Sequence, residues 1–210
     1  MALRNTILAD YFYRILERTY ISKAKNALLT PNQVTALGLV LAVFVPFGFL
    51  MHPFFGFLFI VLSGCADAMD GMVAKNQGLH TAYGAFLDSS VDRISDFLYL
   101  FGFWVLFWNS DRILLASGIV FFSLLFTFMI SYIKARVQGL GGRCDSGLME
   151  RGMRTFYLVV WAFSLSVFPV AYESILWSGL IVYCALSLFT VIQRITLSRA
   201  AFEHSKPARL

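Results

Sequence analysis

The chain has 210 residues, of which 59% are hydrophobic and only 14% charged, with a formal net charge of +5. A soluble domain averages roughly 45–50% apolar and about 25% charged residues, so this composition excludes an ordinary soluble globule and points to a lipid bilayer. The length suits one domain spanning 1–210, and three cysteines, Cys65, Cys144 and Cys184, are too few and odd in number to imply a disulfide framework.

The first 25 residues carry Arg4, Arg14, Arg18, Lys23 and Lys25 with no continuous apolar stretch between them, unlike a cleavable signal peptide. Ile7, Leu8, Tyr11, Phe12 and Ile15 recur there at helical spacing, which predicts an amphipathic helix on a membrane surface. Beyond it, runs long enough to span a bilayer, about 20 mostly apolar residues each, fall at 33–51, 54–74, 82–108, 114–133, 155–170 and 175–195. Turn formers and charges separate them, among them Pro53, Asn109, Asp111 and the glycines at 139, 141 and 142. The expected fold is therefore an all-α integral membrane protein of six transmembrane helices behind an N-terminal amphipathic surface helix.

Charge orients this bundle. Lys75, the group Lys134, Arg136, Arg143, Arg151 and Arg154, and the group Arg194, Arg199, Lys206 and Arg209 all fall on the same side as the basic N-terminus, while Arg112 stands opposite. Cytoplasmic loops carry the excess of Lys and Arg, so both termini and that face of the bundle are expected in the cytoplasm. Because the basic residues follow topology, they do not argue for a nucleic-acid partner.

Four carboxylates stand where hydropathy argues against them: Asp67 and Asp70 in the second run, Asp88 and Asp92 in the third. An Asp at the centre of a membrane helix costs roughly 2.5–3.5 kcal/mol, so such residues usually face a cavity and serve a function. Asp67, Asp70, Gly71 and Ala74 share one helix face, and Gly84, Asp88 and Asp92 share another. A turn between the two runs folds these faces together near the cytoplasmic end. Clustered carboxylates in a poor dielectric need cations. Oxygen-only ligation favours Mg²⁺, Mn²⁺ or Ca²⁺ over zinc, and a pair of ions sharing carboxylates suits phosphoryl chemistry. Gly71, Ala74 and Gly84 serve close helix packing, or space for a nucleotide, or both. On the residues alone, an ion pathway through a transporter stays open beside a metal-dependent enzyme.

The stretch Asp67-x2-Asp70-Gly71-x2-Ala74-Lys75-x8-Gly84-x3-Asp88-x3-Asp92 resembles the signature of the CDP-alcohol phosphotransferases, matching seven of its eight fixed positions in register. Thr30-Pro31-Asn32-x2-Thr35 also resembles that family's entry to its first span. The resemblance implies a Mg²⁺- or Mn²⁺-dependent enzyme with two ions on Asp67, Asp70, Asp88 and Asp92, the last also serving as general base. Gly71, Ala74, Lys75 and Gly84 would shape the cytidine pocket of a CDP-linked lipid such as CDP-diacylglycerol, and CMP would leave. One position departs: Lys75 stands where the family has arginine, keeping the charge but not the bidentate fork. The family also implies a homodimer.

The basic group at the ends of the last three spans bears on the acceptor. Lys134, Arg151, Arg154 and Arg194 read either as topology signals or as a pocket for an anionic acceptor, since arginine forks match phosphate oxygens. Tyr132-Ile133-Lys134-Ala135-Arg136 followed by Glu150-Arg151-x2-Arg154 resembles the branch that uses phosphorylated polyols. Inositol phosphate is the acceptor this implies, with glycerol 3-phosphate the alternative.

Overall fold

The computed structural model describes residues 30–77, 81–142, 144 and 147–203; the expected N-terminal surface helix lies outside them. Six long helices make up the described residues: α1 Pro31–Met51, α2 Pro53–Gln77, α3 Ala82–Val105, α4 Ile113–Gly139, α5 Arg151–Val167 and α6 Tyr172–Glu203, with a 3₁₀ turn at Pro169–Ala171 before α6. α1 packs on α2 and α3, α2 on α5, α3 on α4, and α6 closes the bundle against α4 and α5.

Local chemistry accounts for the ends of these helices. Pro31 opens α1, where a missing N–H costs nothing, and the Gln33 side chain accepts from the Thr30 N–H at 2.8 Å. Only His52 separates α1 from α2. So tight a hairpin needs small residues: a Cβ on Gly48 would lie 2.8 Å from the backbone of Phe55, and one on Gly56 would enter the Phe49 ring. Thr81 caps α3 by accepting from the Gly84 N–H at 2.9 Å. Past the C-cap Leu140, α4 is closed off by Gly141, whose φ of +80° only glycine adopts easily, and the Gly142 N–H returns to the Val137 carbonyl at 2.9 Å.

The core is aromatic at the end away from the carboxylates. Phe103 stacks on Trp161 with centroids 3.8 Å apart and meets Phe49 from another side at 4.8 Å. Trp161 donates to the Ile175 carbonyl at 3.0 Å and lies so close to Gly179 that a Cβ there would fall within the indole. Gly179→Leu therefore overpacks the α5–α6 contact and costs about 1–3 kcal/mol. Thermal unfolding in detergent should show a lowered Tm; an unchanged Tm would contradict this close approach.

Four of the helical segments are long and apolar enough to cross a membrane: Pro31–Met51, Pro53–Ala74, Ile113–Gly139 and Pro169–Arg199. The chain is thus a multi-pass membrane protein. The two expected spans outside this set have physical reasons for standing apart. α3 carries Asp88, Asp92, Arg93 and Asp96. α5 has 17 residues and opens with Arg151 and Arg154, so at 1.5 Å per residue it is shorter than a hydrocarbon core of about 30 Å. Large apolar side chains exposed along the bundle, such as Phe47, Leu50, Phe121, Phe122, Phe163 and Phe189, suit contact with lipid tails.

Candidate active site

A string of hydrogen bonds ties the first three helices together one turn from the carboxylates. The Tyr99 hydroxyl donates to Ser63 Oγ at 2.7 Å, and Ser63 donates to the Gly38 carbonyl at 2.7 Å, both in the dry interior. Gly38 lets α1 approach α2 closely: a Cβ there would meet Ala66 at 3.4 Å and the Asp67 backbone at 3.8 Å. This fixes the part of α2 that carries Asp67 and Asp70. One turn beyond Asp67 toward the core, Gly64 admits Thr155 of α5 to 3.2 Å of where its Cβ would be. That contact sets the start of α5, and hence Arg151, against Asp67.

Asp67, Asp70 and Asp88 each offer an oxygen, all lying within 4.8 Å of one another. Asp70 is buried and accepts from the Thr35 hydroxyl at 2.6 Å, which aims the carboxylate from α1. Three hard oxygen donors at this separation fit a divalent cation of the Mg²⁺ or Mn²⁺ kind and lack the soft or imidazole ligands that zinc prefers. Asp92, the fourth expected member, is not in that triad. Its two oxygens face cations instead: Arg151 Nη1 at 2.6 Å and Arg93 Nη1 at 3.3 Å. Arg93 also donates to the Ser89 carbonyl on its own helix.

A cavity of about 180 Å³ opens beside the triad, lined by Asp70, Gly71, Ala74, Gly84 and Asp88 together with Asn32, Thr35 and Thr81. Gly71 has no heavy atom within 4 Å of where a Cβ would stand, so its missing side chain faces open space rather than a packed helix. The expected small residues Gly71, Ala74 and Gly84 thus share one cavity with two of the metal-ligand candidates. Lys75 belongs to α2, but its side chain lies outside the described set. Asn32, Thr35 and Thr81 were given no role in the sequence reading, although the Thr30–Thr35 stretch already stood out there.

The four basic candidates have separate places. Arg151 Nη1 bridges Asp67 at 2.5 Å and Asp92 at 2.6 Å. Arg154, 2% exposed, pairs inside the bundle with Asp96 at 2.6 Å and donates to the Met149 carbonyl at 3.1 Å. Arg194, also 2% exposed, donates to the Ile130 carbonyl of α4 at 2.5 Å and lies 3.8 Å from Glu150. Lys134 is half-buried near the end of α4. Arg154 and Arg194, both expected in a phosphate pocket, are thus buried. The charge of Arg154 answers Asp96 of α3. Removing one member of a buried pair leaves the other uncompensated, at about 3–5 kcal/mol. Asp96→Asn and Asp96→Ala both remove the charge, so both should lower Tm, Asp96→Asn somewhat less because it keeps a hydrogen-bond acceptor; an unchanged Tm for Asp96→Asn would argue against a charged pair.

Comparison with known proteins identifies the family. The CDP-alcohol phosphatidyltransferase family model matches residues 28–192. The archaetidylinositol phosphate synthase of Methanothermobacter thermautotrophicus is 29% identical over 191 residues, covering 90% of this chain and 93% of that protein. The phosphatidylinositol phosphate synthase of Mycobacterium tuberculosis is 35% identical over 175 residues, covering 80% of this chain and 78% of that protein. The crystal structure of the Mycobacterium tuberculosis enzyme with CDP-DAG bound superposes with a TM-score of 0.75 at 28% identity, covering 93% of this chain and 97% of that one. Its complex with manganese and citrate gives 0.75 at 27% identity, covering 92% of each. The chain belongs to the CDP-alcohol phosphatidyltransferase family and is a membrane transferase.

Proposed function

We propose that this transferase moves a phosphatidyl group, or its ether-lipid equivalent, from a CDP-linked lipid to the hydroxyl of inositol phosphate and releases CMP. The observation that carries the reading is the meeting of two opposite clusters at one end of the bundle. The carboxylates of α2 and α3 adjoin the arginines of α5, and Arg151 stands at the junction with one nitrogen on both Asp67 and Asp92. A diphosphate held through metal on one side and an anionic acceptor held by cations on the other would bring two negatively charged substrates together. Relatives named for inositol phosphate acceptors support this choice.

Asp67, Asp70 and Asp88 would hold Mg²⁺ or Mn²⁺, with Asp92 on or beside a second ion. Bound there, such ions neutralise the diphosphate oxygens and stabilise the charge gathering on the departing CMP. Gly71, Ala74 and Gly84 leave room for the cytidine, and Lys75 supplies a positive charge to it. On the acceptor side, Lys134, Arg151, Arg154 and Arg194 bind the phosphate, Arg154 while also paired with Asp96. Asp92 takes the proton of the acceptor hydroxyl. The freed oxygen attacks the lipid-side phosphorus, the bond from that phosphorus to the bridging oxygen breaks, and CMP carries that oxygen away.

The whole chain, 1–210, forms one catalytic domain in this reading and works as a homodimer. α3 and α5 cross the membrane with the other four because their charges turn inward: Asp96 and Arg154 satisfy one another in the core. Six crossings put both termini and the site in the cytoplasm, where water-soluble acceptors and CMP are exchanged.

The testing experiment offers the purified protein CDP-diacylglycerol with labelled inositol phosphate, glycerol 3-phosphate, inositol and serine in parallel. Inositol phosphate should give the highest kcat/KM. Preference for glycerol 3-phosphate would keep the phosphate pocket and change the polyol; preference for inositol or serine would contradict the pocket itself.

A further inference from the structure

Arg151 is the first residue of α5, and its helix lacks an end of its own making. Glu150 stands at the N-cap without a capping hydrogen bond from its side chain. Ser, Thr, Asp or Asn there would normally satisfy the free N–H groups and fix the entry of the chain. Here α6 instead fixes the chain just ahead of the helix. The Leu148 N–H donates to Gln193 Oε1 at 3.2 Å, and the Met149 N–H donates to Thr190 Oγ1 at 3.1 Å. Thr190 is fully buried, and its own proton goes to the Leu186 carbonyl at 2.8 Å, which turns its lone pairs toward Met149. The Met149 carbonyl accepts from Arg154 at 3.1 Å. Gly147 lies against the Arg194 side chain, where a Cβ would come within 2.8 Å of Nε. The turn 147–150 is thus pinned at successive residues to one face of α6, immediately before the arginine that reaches Asp67 and Asp92.

We propose that Thr190 and Gln193 are positioning residues for the transfer: by holding the turn 147–150 they set the guanidinium of Arg151 where the acceptor phosphate must bind. The inference rests on the reading of Arg151 as an acceptor ligand. A long side chain at an uncapped helix start has many rotamers, and a reacting group displaced by about 1 Å loses up to about 10²-fold in rate. Neither Thr190 nor Gln193 touches the carboxylate cluster, so their loss reaches the donor side only through Arg151.

Steady-state kinetics of the full-length protein, with CDP-diacylglycerol and its best acceptor from the panel above, tests this. Thr190→Val keeps the shape and removes the acceptor of the Met149 N–H, and should raise the acceptor KM about ten-fold, on the scale of one misplaced charge-assisted contact, while the donor KM stays within about two-fold. Thr190→Ser restores the hydroxyl and should restore the acceptor KM. Gln193→Leu, at a less buried bond, should act in the same direction and decides the matter if Thr190→Val fails to fold. In an Arg151→Ala background neither change should raise the acceptor KM further. If Arg151→Ala raises the acceptor KM but Thr190→Val and Gln193→Leu leave it unchanged, or raise donor and acceptor KM alike, the positioning role is wrong and the acceptor reading survives. If Arg151→Ala leaves the acceptor KM unchanged, the acceptor reading fails and this inference with it.

Discussion

Asp88→Asn should abolish turnover while leaving a folded, membrane-inserted protein. Asp88 supplies one of three oxygens gathered within 4.8 Å on two helices, and asparagine there keeps the shape but removes a full negative charge from the ligand set. The loss of a charge that stabilises phosphoryl transfer through bound cations is expected to cost about 10³-fold or more in kcat. Insertion should not suffer, because a neutral amide is cheaper in the bilayer than a carboxylate. Asp67→Asn should behave alike, with one added consequence: Asp67 also accepts from Arg151 at 2.5 Å, so its loss frees one partner of the acceptor-side cation. CMP release measured by chromatography, beside Mn²⁺ binding followed by electron paramagnetic resonance, checks both effects. Wild-type turnover of either variant in excess chelator would overturn the metal assignment.

Asp92→Asn should lower kcat by about 10²–10⁴-fold, the usual contribution of a general base, with little change in the KM for the CDP-lipid. Asp92 is 8% exposed and lies one turn along α3 from Asp88, outside the close triad and facing Arg151. That position, between the metal-ligand candidates and the cation assigned to the acceptor, is where an attacking hydroxyl would arrive. The split between kcat and KM separates a base from a ligand: a lost ligand weakens donor binding, and a lost base slows the chemical step. Near-normal turnover with weak donor binding would assign Asp92 to the metal alone.

Charges placed against hydropathy made much of the site legible in advance. Asp67, Asp70 and Asp88 stand out because carboxylates in apolar runs are costly and usually serve a function, and the period of 3.6 already puts them on facing sides of neighbouring helices. The glycines and alanine of the cavity follow the same periodicity. The partners that come from far along the chain were not legible. Arg154 and Asp96 are 58 residues apart, and a pair of arginines at i, i+3 does not say which carboxylate each will meet. One turns inward to Asp96 and the other toward Asp67 and Asp92. Thr35 belonged to a stretch that looked unusual, yet its bond to Asp70 depends on how closely α1 approaches α2 at Gly38. Thr190 and Gln193 carried only a faint signal, two of several polar residues in a mostly apolar run, since polar groups in a span so often bond back to their own helix. α3 carries charges that interrupt its apolar run, and α5 is only 17 residues long and opens on Arg151 and Arg154, so neither matches the other four helices in length and apolarity.

The most direct measurement of the central claim is a mass balance on the purified protein supplied with CDP-diacylglycerol, Mg²⁺ and inositol phosphate. One CMP should appear for each donor lipid consumed, and the lipid product should carry both the transferred phosphodiester and the acceptor's phosphomonoester, with neither formed by Asp88→Asn. Consumption of the donor without CMP, or a product formed equally well by that variant, would contradict the account.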